Sequence, residues 1–139
     1  MTTTTAPLNG TQAAVDTFVE AVACGRFSAV AHSLYADEAV IDATVPNWRF
    51  PITGAPAILA QLDKWFADPA VYEELERIAL PDGELVRFDI SWTERGIRHE
   101  AHQSHLLTVV DGRITHDFMF CGGRWPQPLL DEMEAARRG

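Results

Sequence analysis

The order of apolar and polar positions divides the chain into a helical half and a half of alternating strands. From Thr11 onward, apolar side chains recur at helical spacing, which predicts an amphipathic helix that ends near Gly25. Two further helices are predicted over "FSAVAHSLY" and "APAILAQLDKWF", with a strand over "DEAVIDATV" between them. The connecting stretch "PNWRFPITG" contains two prolines and a glycine, so it is predicted to be a structured loop.

From Tyr72 the pattern changes to strands. The stretch "VYEELERIAL" fits either a helix or a strand on propensity, and it is interpreted as a strand because strands follow it. "ELVRFDISWTE" alternates strictly between apolar and polar positions, and Asp-Gly pairs in "PDG" and "VVDGRI" predict tight turns between antiparallel strands. "HEAHQSHLLTVV" and "RITHDFMFC" continue the sheet, and "PLLDEMEAARR" predicts a terminal helix. The pattern therefore predicts an α+β fold in which helices pack on one face of a curved antiparallel sheet.

Length and charge limit the organisation and the partners. The 139 residues fit one domain, predicted over 11–139 after a flexible tail over 1–10. A net charge of −9 argues against nonspecific binding of nucleic acid and against docking on an anionic membrane. The first residues, "MTTTTAPLNG", lack the features of a signal peptide, and no apolar run approaches the roughly 18 residues of a membrane span. A cytoplasmic location is expected.

The stretch "RHEAHQSHLLTVVDGRITHDF" contains four of the five histidines, and it raises the question of a metal site. His99, His102 and His105 would share one face of a helix, but on a strand His102 points the other way. His99 and His105 then lie about 20 Å apart, at roughly 3.3 Å per residue, whereas zinc ligands bind at about 2.0–2.1 Å. The spacing thus favours proton transfer over metal binding, with either His102 or His105 facing inward and Asp117 arriving on the next strand.

Other side chains are candidates for the same chemistry. Asp42 lies in an apolar strand, where an unpaired carboxylate would have a raised pKa and could act as a general base. Arg87 and Asp89 lie opposite the apolar row of their strand, so they either face solvent or line a pocket. Met119 and Cys121 alternate with Asp117 along one face. Four aromatic side chains suit a flat hydrophobic ligand, and the first of them is expected at the mouth of the pocket: Trp48, Phe50, Trp65 and Trp92.

The chain resembles the SnoaL-like branch of the nuclear transport factor 2-like (NTF2-like) superfamily. The resemblance rests on "VDTFVEAVACGRFSAVAHSLYADEAVIDATVP", on "GAPAI" at the start of a helix and on "VVDGRITHDFMF". It implies a cone, in which a curved sheet wrapped by three helices encloses an apolar pocket, and commonly a homodimer. Members of the superfamily include polyketide cyclases, ketosteroid isomerases, scytalone dehydratases and limonene-type epoxide hydrolases.

Two alignments within this superfamily imply different site residues. Alignment to the epoxide hydrolases puts Asp42 and Thr44 where those enzymes hold the attacking water, and puts Arg87 and Asp89 over their Arg-x-Asp pair. The second catalytic aspartate of those enzymes falls at Met119. Alignment to the isomerases puts the general base at Ala43 instead of Asp42. The two alignments differ by one residue, so the inward-facing side of the first strand stays open at this point.

Together, the residues and the resemblance predict a cofactor-independent acid–base enzyme without a metal. Its substrate would be a small, hydrophobic, oxygenated molecule that undergoes cyclisation, isomerisation, dehydration or epoxide hydration. The alternative is a module of the same fold that binds a hydrophobic ligand or a partner chain without chemistry. The predicted catalytic residues are Asp42, Asp89, His105 and Asp117. The predicted substrate-binding residues are Thr44, Trp48, Phe50, Trp65, Arg87, Trp92, His102, Met119 and Cys121.

Overall fold

The computed structural model describes residues 10–139, so the predicted tail lies outside the described residues except for Gly10, which begins the first helix. The helices are α1 (Gly10–Ala23), α2 (Phe27–Ala31), α3 (Ala55–Trp65) and α4 (Gln127–Arg138). The strands are β1 (Tyr35–Val45), β2 (Trp48–Thr53), β3 (Val71–Leu80), β4 (Gly83–Glu94), β5 (Ile97–Val110) and β6 (Arg113–Pro126).

The six strands form one open sheet in the order β2-β1-β6-β5-β4-β3. Neighbouring strands are antiparallel except for β1 and β6, which run parallel, with Ile41 opposite Asp117. This parallel contact joins β1, in the helical half of the chain, to β6, the last of the four consecutive strands β3 to β6. The expected curved sheet is confirmed, but it is mixed rather than wholly antiparallel.

Helices cover one face of the sheet, which we call the inner face. Helix α1 packs against β4, β5 and β6, and α3 packs against β1 and β2. The apolar row that the sequence indicated on β4 lies under these helices and is buried, as are Phe18 of α1 and Leu62 of α3. Helix α4 lies beside β5 and β6 and buries none of its side chains. The α+β cone predicted from the sequence is therefore present.

Strand alternation decides which side chains face inward. On β5, Gln103 and His105 are buried on the inner face, whereas His102 is exposed on the outer face. On β6, Asp117 and Met119 are buried on the same inner face. The sequence left the choice between His102 and His105 open, and the fold assigns the interior to His105.

The stretch "PNWRFPITG" was expected to be a loop, and this expectation is wrong. After a turn in which Asn47 has a φ of 64°, the chain forms β2 and pairs antiparallel with β1. Its proline, Pro51, lies opposite Asp42 on the outermost strand of the sheet. An edge strand tolerates proline because the missing N–H need not serve a further neighbour.

No helix within residues 10–139 is both long enough and apolar enough to cross a membrane.

Candidate active site

A cavity of about 350 Å³ opens on the inner side of the sheet, between the β1–β2 hairpin, α3 and the ends of β5 and β6. Phe50 and Trp65 meet edge to face at 6.1 Å and form one wall. The volume lies near the lower limit of about 300–1,000 Å³ for small-molecule sites, so it suits a small ligand. The lining residues are Val45, Pro46, Phe50, Gln61, Trp65, Gln103, Met119, Cys121, Gly123 and Arg124.

A local bend in β6 shapes this end of the cavity. Gly123 has a φ of 125°, and a Cβ atom at this position would lie 2.9 Å from the indole nitrogen of Trp125. The β5–β6 pairing shifts register between Ala101 and Gln103, at the same height in the sheet. Glycine is required here because a side chain would be strained by the backbone angle and by the nearby indole ring. Gly123 and Arg124, which lie at this register shift, line the cavity.

Behind the cavity lies a buried pair of ionisable side chains. The Nδ1 atom of His105 lies 2.9 and 3.0 Å from the two carboxyl oxygens of Asp117, and both side chains have no exposed surface. The imidazole stacks on Phe88 at 5.5 Å and meets the edge of Phe18 at 4.9 Å. Polar groups in such apolar surroundings are retained only where they satisfy one another, because leaving either one unpaired would be costly.

Gln103 separates this pair from the cavity. Its carbonyl oxygen, Oε1, lies 2.8 Å from Nε2 of His105. Its amide nitrogen donates a long hydrogen bond of 3.5 Å to the sulfur of Cys121. Both Gln103 and Cys121 line the cavity. A chain of polar contacts therefore runs from Asp117 through His105 and Gln103 to the ligand space.

The hydrogen-bond partners define the protons of the pair. The Gln103 carbonyl can only accept, so Nε2 of His105 carries a hydrogen. One further proton lies between Nδ1 and Asp117, which makes the pair neutral in total whether it resides on nitrogen or on oxygen. With the amide reversed, Gln103 would donate to Nε2, and the proton of a neutral His105 would lie on Nδ1, beside a buried Asp117 whose charge no cation balances. Burial of an uncompensated charge is strongly unfavourable, and this favours the observed orientation of the amide.

Tyr35 adds a hydroxyl group near the pair. Burial, together with the negative charge of Asp117, raises the pKa of the Tyr35 hydroxyl well above its ordinary value. This hydroxyl has no hydrogen-bond partner among the described residues. Tyr35 therefore stays protonated and neutral in the folded protein.

Arg124 is the cation of the cavity, and three neighbours hold it in place. It donates to the main-chain oxygen of Trp65 at 3.0 Å and to Glu94 at 2.6 Å, and it lies 4.7 Å above the ring of Trp92. The Trp92 indole also donates to Glu94, and this hydrogen bond, with the contribution of Arg124, lowers the pKa of Glu94. A narrow crevice lined by Trp92 shares Trp65, Gln103 and Arg124 with the cavity.

The remaining candidates lie on the outer face, and one expectation among them is wrong. Arg49 of β2 donates two hydrogen bonds, of 3.0 and 2.7 Å, to the carboxylate of Asp42. These bonds hold the pKa of Asp42 below its ordinary value, whereas the sequence suggested that burial would raise it. Asp42 is thus a paired surface carboxylate and not a general base in an apolar environment.

A second Asp–His pair lies in a shallow outer groove of about 360 Å³. Nδ1 of His102 approaches Asp89 to 2.7 Å, but the carboxyl oxygen is out of line for a hydrogen bond. Arg87 points mainly to Glu74 and Glu76, at 3.1 Å each, and lies 3.9 Å from Asp89. Thr44 lines the same groove.

The fold therefore divides the predicted site residues into two groups. Those at or behind the inner cavity and its crevice are Phe50, Trp65, Trp92, His105, Asp117, Met119 and Cys121. Those on the outer face are Asp42, Thr44, Arg87, Asp89 and His102. Trp48 begins β2 with 68% of its surface exposed, and it does not line the cavity.

Sequence reasoning missed Gln61, Gln103 and Arg124. The strand pattern of β5 already puts Gln103 on the same face as His105, two residues away, so periodicity could have identified it. Gln61 and Arg124 carry no comparable signal, because the helix and the bent strand end that bring them to the cavity depend on tertiary packing. Among residues 10–139, no group of three or more histidine, cysteine or carboxylate side chains is arranged to hold a metal ion.

At the level of sequence, no protein-family model matches the chain, and no curated protein is significantly similar to it. Solved structures are similar in fold. A Bacillus subtilis protein provisionally named an isomerase is 15% identical, with a TM-score of 0.65 over 83% of this chain and 90% of that one. An NTF-2 like protein of unknown function from Burkholderia xenovorans LB400 is 17% identical, with a TM-score of 0.60 over 81% and 83%.

A protein from Jannaschia sp. CCS1, provisionally named a SnoaL-like polyketide cyclase, is 13% identical, with a TM-score of 0.60 over 83% of this chain and 89% of that one. Identities this low carry no statement about substrate or reaction. The likeness of these structures concerns the fold alone. The chain therefore has the NTF2-like fold that its sequence resembles.

Proposed function

We propose that the protein is a cofactor-independent acid–base enzyme that acts on a small, hydrophobic, oxygenated molecule in the inner cavity. The observation that carries this proposal is the buried Asp117–His105 pair, which within residues 10–139 makes its polar contact toward the cavity through Gln103. A neutral pair that holds a transferable proton in dry surroundings is suited to general acid–base catalysis. The names of the Bacillus subtilis and Jannaschia proteins support a reaction of the isomerase or cyclase type.

In this proposal, His105 first acts as the acid. Its Nε2–H donates to an oxygen of the substrate and stabilises the negative charge that develops there. Asp117 holds the ring orientation and stabilises the positive charge of the imidazole. The proton that leaves Nε2 is recovered from a carbon atom or from an attacking water, so that the pair returns to its starting charge. Isomerisation, cyclisation, dehydration and epoxide hydration share this requirement for a proton at oxygen.

One observation favours the alternative, a module that binds a small hydrophobic ligand without chemistry. His105 has no exposed surface, and the groups that line the cavity itself are apolar side chains, two amides, a thiol and the Arg124 guanidinium. Such a lining would hold a ligand even if the buried pair served only to fix the sheet.

The experiment is a screen of small epoxides, ketones and cyclisable diketones with the purified protein, followed by the same assays on Asp117→Asn and His105→Asn. We expect turnover of at least one class and a loss of about 10²–10⁴-fold in kcat in both variants. Asp42→Asn, which changes a paired carboxylate on the outer face, serves as the matched control. Full activity of both pair variants would refute the acid–base proposal, and saturable binding without any turnover would support the binding module.

We also propose that a second copy of the chain covers the outer face. A row of cross-strand neighbours supports this, because Ile78, Leu85, Leu106 and Phe118 follow one another from β3 to β6. Phe120 stacks on Phe118 and is 51% exposed. The charged side chains that flank this row are arginines paired with carboxylates. Positive and negative charges are therefore mixed on this face, and two identical faces can approach without strong repulsion between like charges. Burial of such a face is the usual reason for self-association.

A further inference from the structure

We propose that the carbonyl group of Gln103 occupies the position of a substrate oxygen, and that a ligand which supplies its own acceptor oxygen displaces it and uncovers His105. The inference rests on the proposed function and specifies it further. It makes Gln103 a gate between the buried pair and the cavity, and it defines the ligand as a neutral molecule with a carbonyl, ether or epoxide oxygen.

The first argument is the direction of the hydrogen bond. Nε2 of His105 donates to Gln103 Oε1 at 2.8 Å, and its other nitrogen is committed to Asp117. Any group that replaces Gln103 must therefore accept a hydrogen bond. An ammonium group or a purely donating group could not do so. Because the pair is neutral in total, a neutral acceptor replaces the amide without adding a charge to the core.

The second argument is that Gln103 is held strongly at one end and weakly at the other. The bond from its amide nitrogen to Cys121 is 3.5 Å long, and sulfur is a weak acceptor. Gln103 also borders both the cavity and the neighbouring crevice. A rotation that gives up the contact with Cys121 therefore moves the amide along surfaces that it already lines.

The third argument is that the other walls around the imidazole are fixed. The rings of Phe18 and Phe88 are fully buried and pack directly against His105. Neither residue lines the cavity. Gln103 is thus the side chain whose movement opens a direct path from the ligand space to Nε2.

A first test measures how well Nε2–H is protected from water in the absence of ligand. Two-dimensional ¹H–¹⁵N NMR of the imidazole groups should show protonated Nε2 in the native protein with slow exchange. Gln103→Ala should accelerate that exchange by at least about tenfold, the size expected when a hydrogen bond of this type is lost. Gln103→Leu, which keeps most of the volume but has no acceptor atom, should do the same, and it covers the case in which the alanine variant does not fold.

Gln61→Ala is the matched control, because it removes a glutamine from the same cavity without touching His105. Its Nε2–H should exchange as slowly as in the native protein. Slow exchange in both Gln103 variants would overturn the gate.

A second test compares 1-tetralone with tetralin, two molecules of nearly equal shape that differ in one carbonyl oxygen. Their affinities can be followed by the fluorescence of Trp65 and its neighbouring tryptophans. We expect the preference for the ketone to grow by about tenfold in Gln103→Ala, because the competing amide is gone, and to disappear in His105→Leu. An equal preference in the native protein and both variants would overturn the acceptor-oxygen assignment, and if neither compound binds, the NMR comparison decides.

These outcomes distinguish the hypothesis that Gln103 is a gate from the hypothesis that the protein is an acid–base enzyme. Turnover that depends on His105, combined with slow exchange in the Gln103 variants, would leave the acid–base function standing and remove the gate. Faster exchange in those variants, combined with full activity of His105→Asn, would leave the gate standing and remove the function.

Discussion

Two Asp–His pairs with similar N–O distances lie on opposite faces of the same sheet, and their surroundings differ. Asp117 and His105 join β6 to β5 on the inner face at 2.9 Å, with no exposed surface on either side chain. Asp89 and His102 join β4 to β5 on the outer face at 2.7 Å, with 15% and 46% of their side chains exposed. The residue types and the shortest distances are alike, but only the inner pair has hydrogen-bond geometry among the described residues.

The difference is what surrounds the charges. The His102 ring is nearly half exposed, so water and salt screen the outer pair, and partly exposed ion pairs of this kind contribute about 0–1 kcal/mol. No water screens the inner pair, so loss of one partner leaves the other in an apolar core. The same two residue types therefore form an almost dispensable surface contact on one face and an interdependent unit on the other.

The largest expected effect is on the inner pair. Asp117→Ala should lower the free energy of unfolding by about 3–5 kcal/mol, because His105 then loses its buried partner. Urea denaturation monitored by circular dichroism measures this. The double variant Asp117→Leu with His105→Leu should recover at least half of the loss, since it removes both polar groups. A double variant as unstable as the single one would mean that the pair itself stabilises the core.

The next effect concerns ionisation on the inner side of the sheet. The two tyrosines of the chain are Tyr35 and Tyr72, and burial raises the pKa of both hydroxyls. Tyr72 also donates to the main-chain oxygen of Val19 at 2.7 Å. A raised pKa in the folded state means that stability is intact below the unfolded pKa of about 10 and falls as the pH rises above it, by up to about 1.4 kcal/mol per pH unit for each tyrosine.

Absorbance at 295 nm checks this prediction directly, because it detects tyrosinate. The native protein should show almost no tyrosinate at about pH 11, while the urea-unfolded chain titrates near pH 10. Tyrosinate should appear only together with the loss of circular dichroism. Titration of either tyrosine in the folded protein near pH 10 would contradict the inner environment described above.

An intermediate effect is expected for the apolar row on the outer face. Leu106→Asp should weaken self-association by at least about tenfold, because it puts a charge into the proposed contact. Leu75→Asp is a matched control, since Leu75 is 41% exposed like Leu106 but lies in register with Phe88, on the other face. Light scattering after size-exclusion chromatography measures both variants. Equal masses for Leu106→Asp and the native protein would exclude this face as the contact.

The smallest effect should come from the outer pair. Asp89→Ala should change the free energy of unfolding by less than about 1 kcal/mol, and the change should shrink further in 1 M salt. The urea assay used for Asp117→Ala applies here unchanged. A loss as large as that of the inner pair would end the distinction between the two faces.

The sequence predicted the fold well where periodicity decides the structure. The alternation on β4 separated its apolar row from its polar row, and on β6 it put Asp117 and Met119 on one side, as the structure has them. Three histidines at intervals of three could be separated without coordinates, because strand geometry does not depend on tertiary packing. The NTF2-like fold that the resemblance implied is present as well.

The candidate site was harder to predict from the sequence than the fold, and Asp42 shows why. Two prolines in "PNWRFPITG" suggested a loop, so β2 was missed and with it the partner that neutralises Asp42. A hairpin turning at Asn47 would have paired Asp42 with Pro51 and brought Arg49 within reach. An error in one strand thus became an error in the pKa of a residue on its neighbour. Partners across strands follow from register, which local propensity does not contain.

The parallel contact between β1 and β6 also affects the order in which the protein can fold. The two strands come from opposite halves of the chain, so β1 and its hairpin must wait for the last strand to be synthesised before the sheet is continuous. Contacts of such long sequence separation form slowly, because the intervening chain must be ordered first. Asp117 lies on the strand that arrives last, opposite Ile41. We therefore expect the buried pair to lose its contact with water only as the two halves join, late in folding.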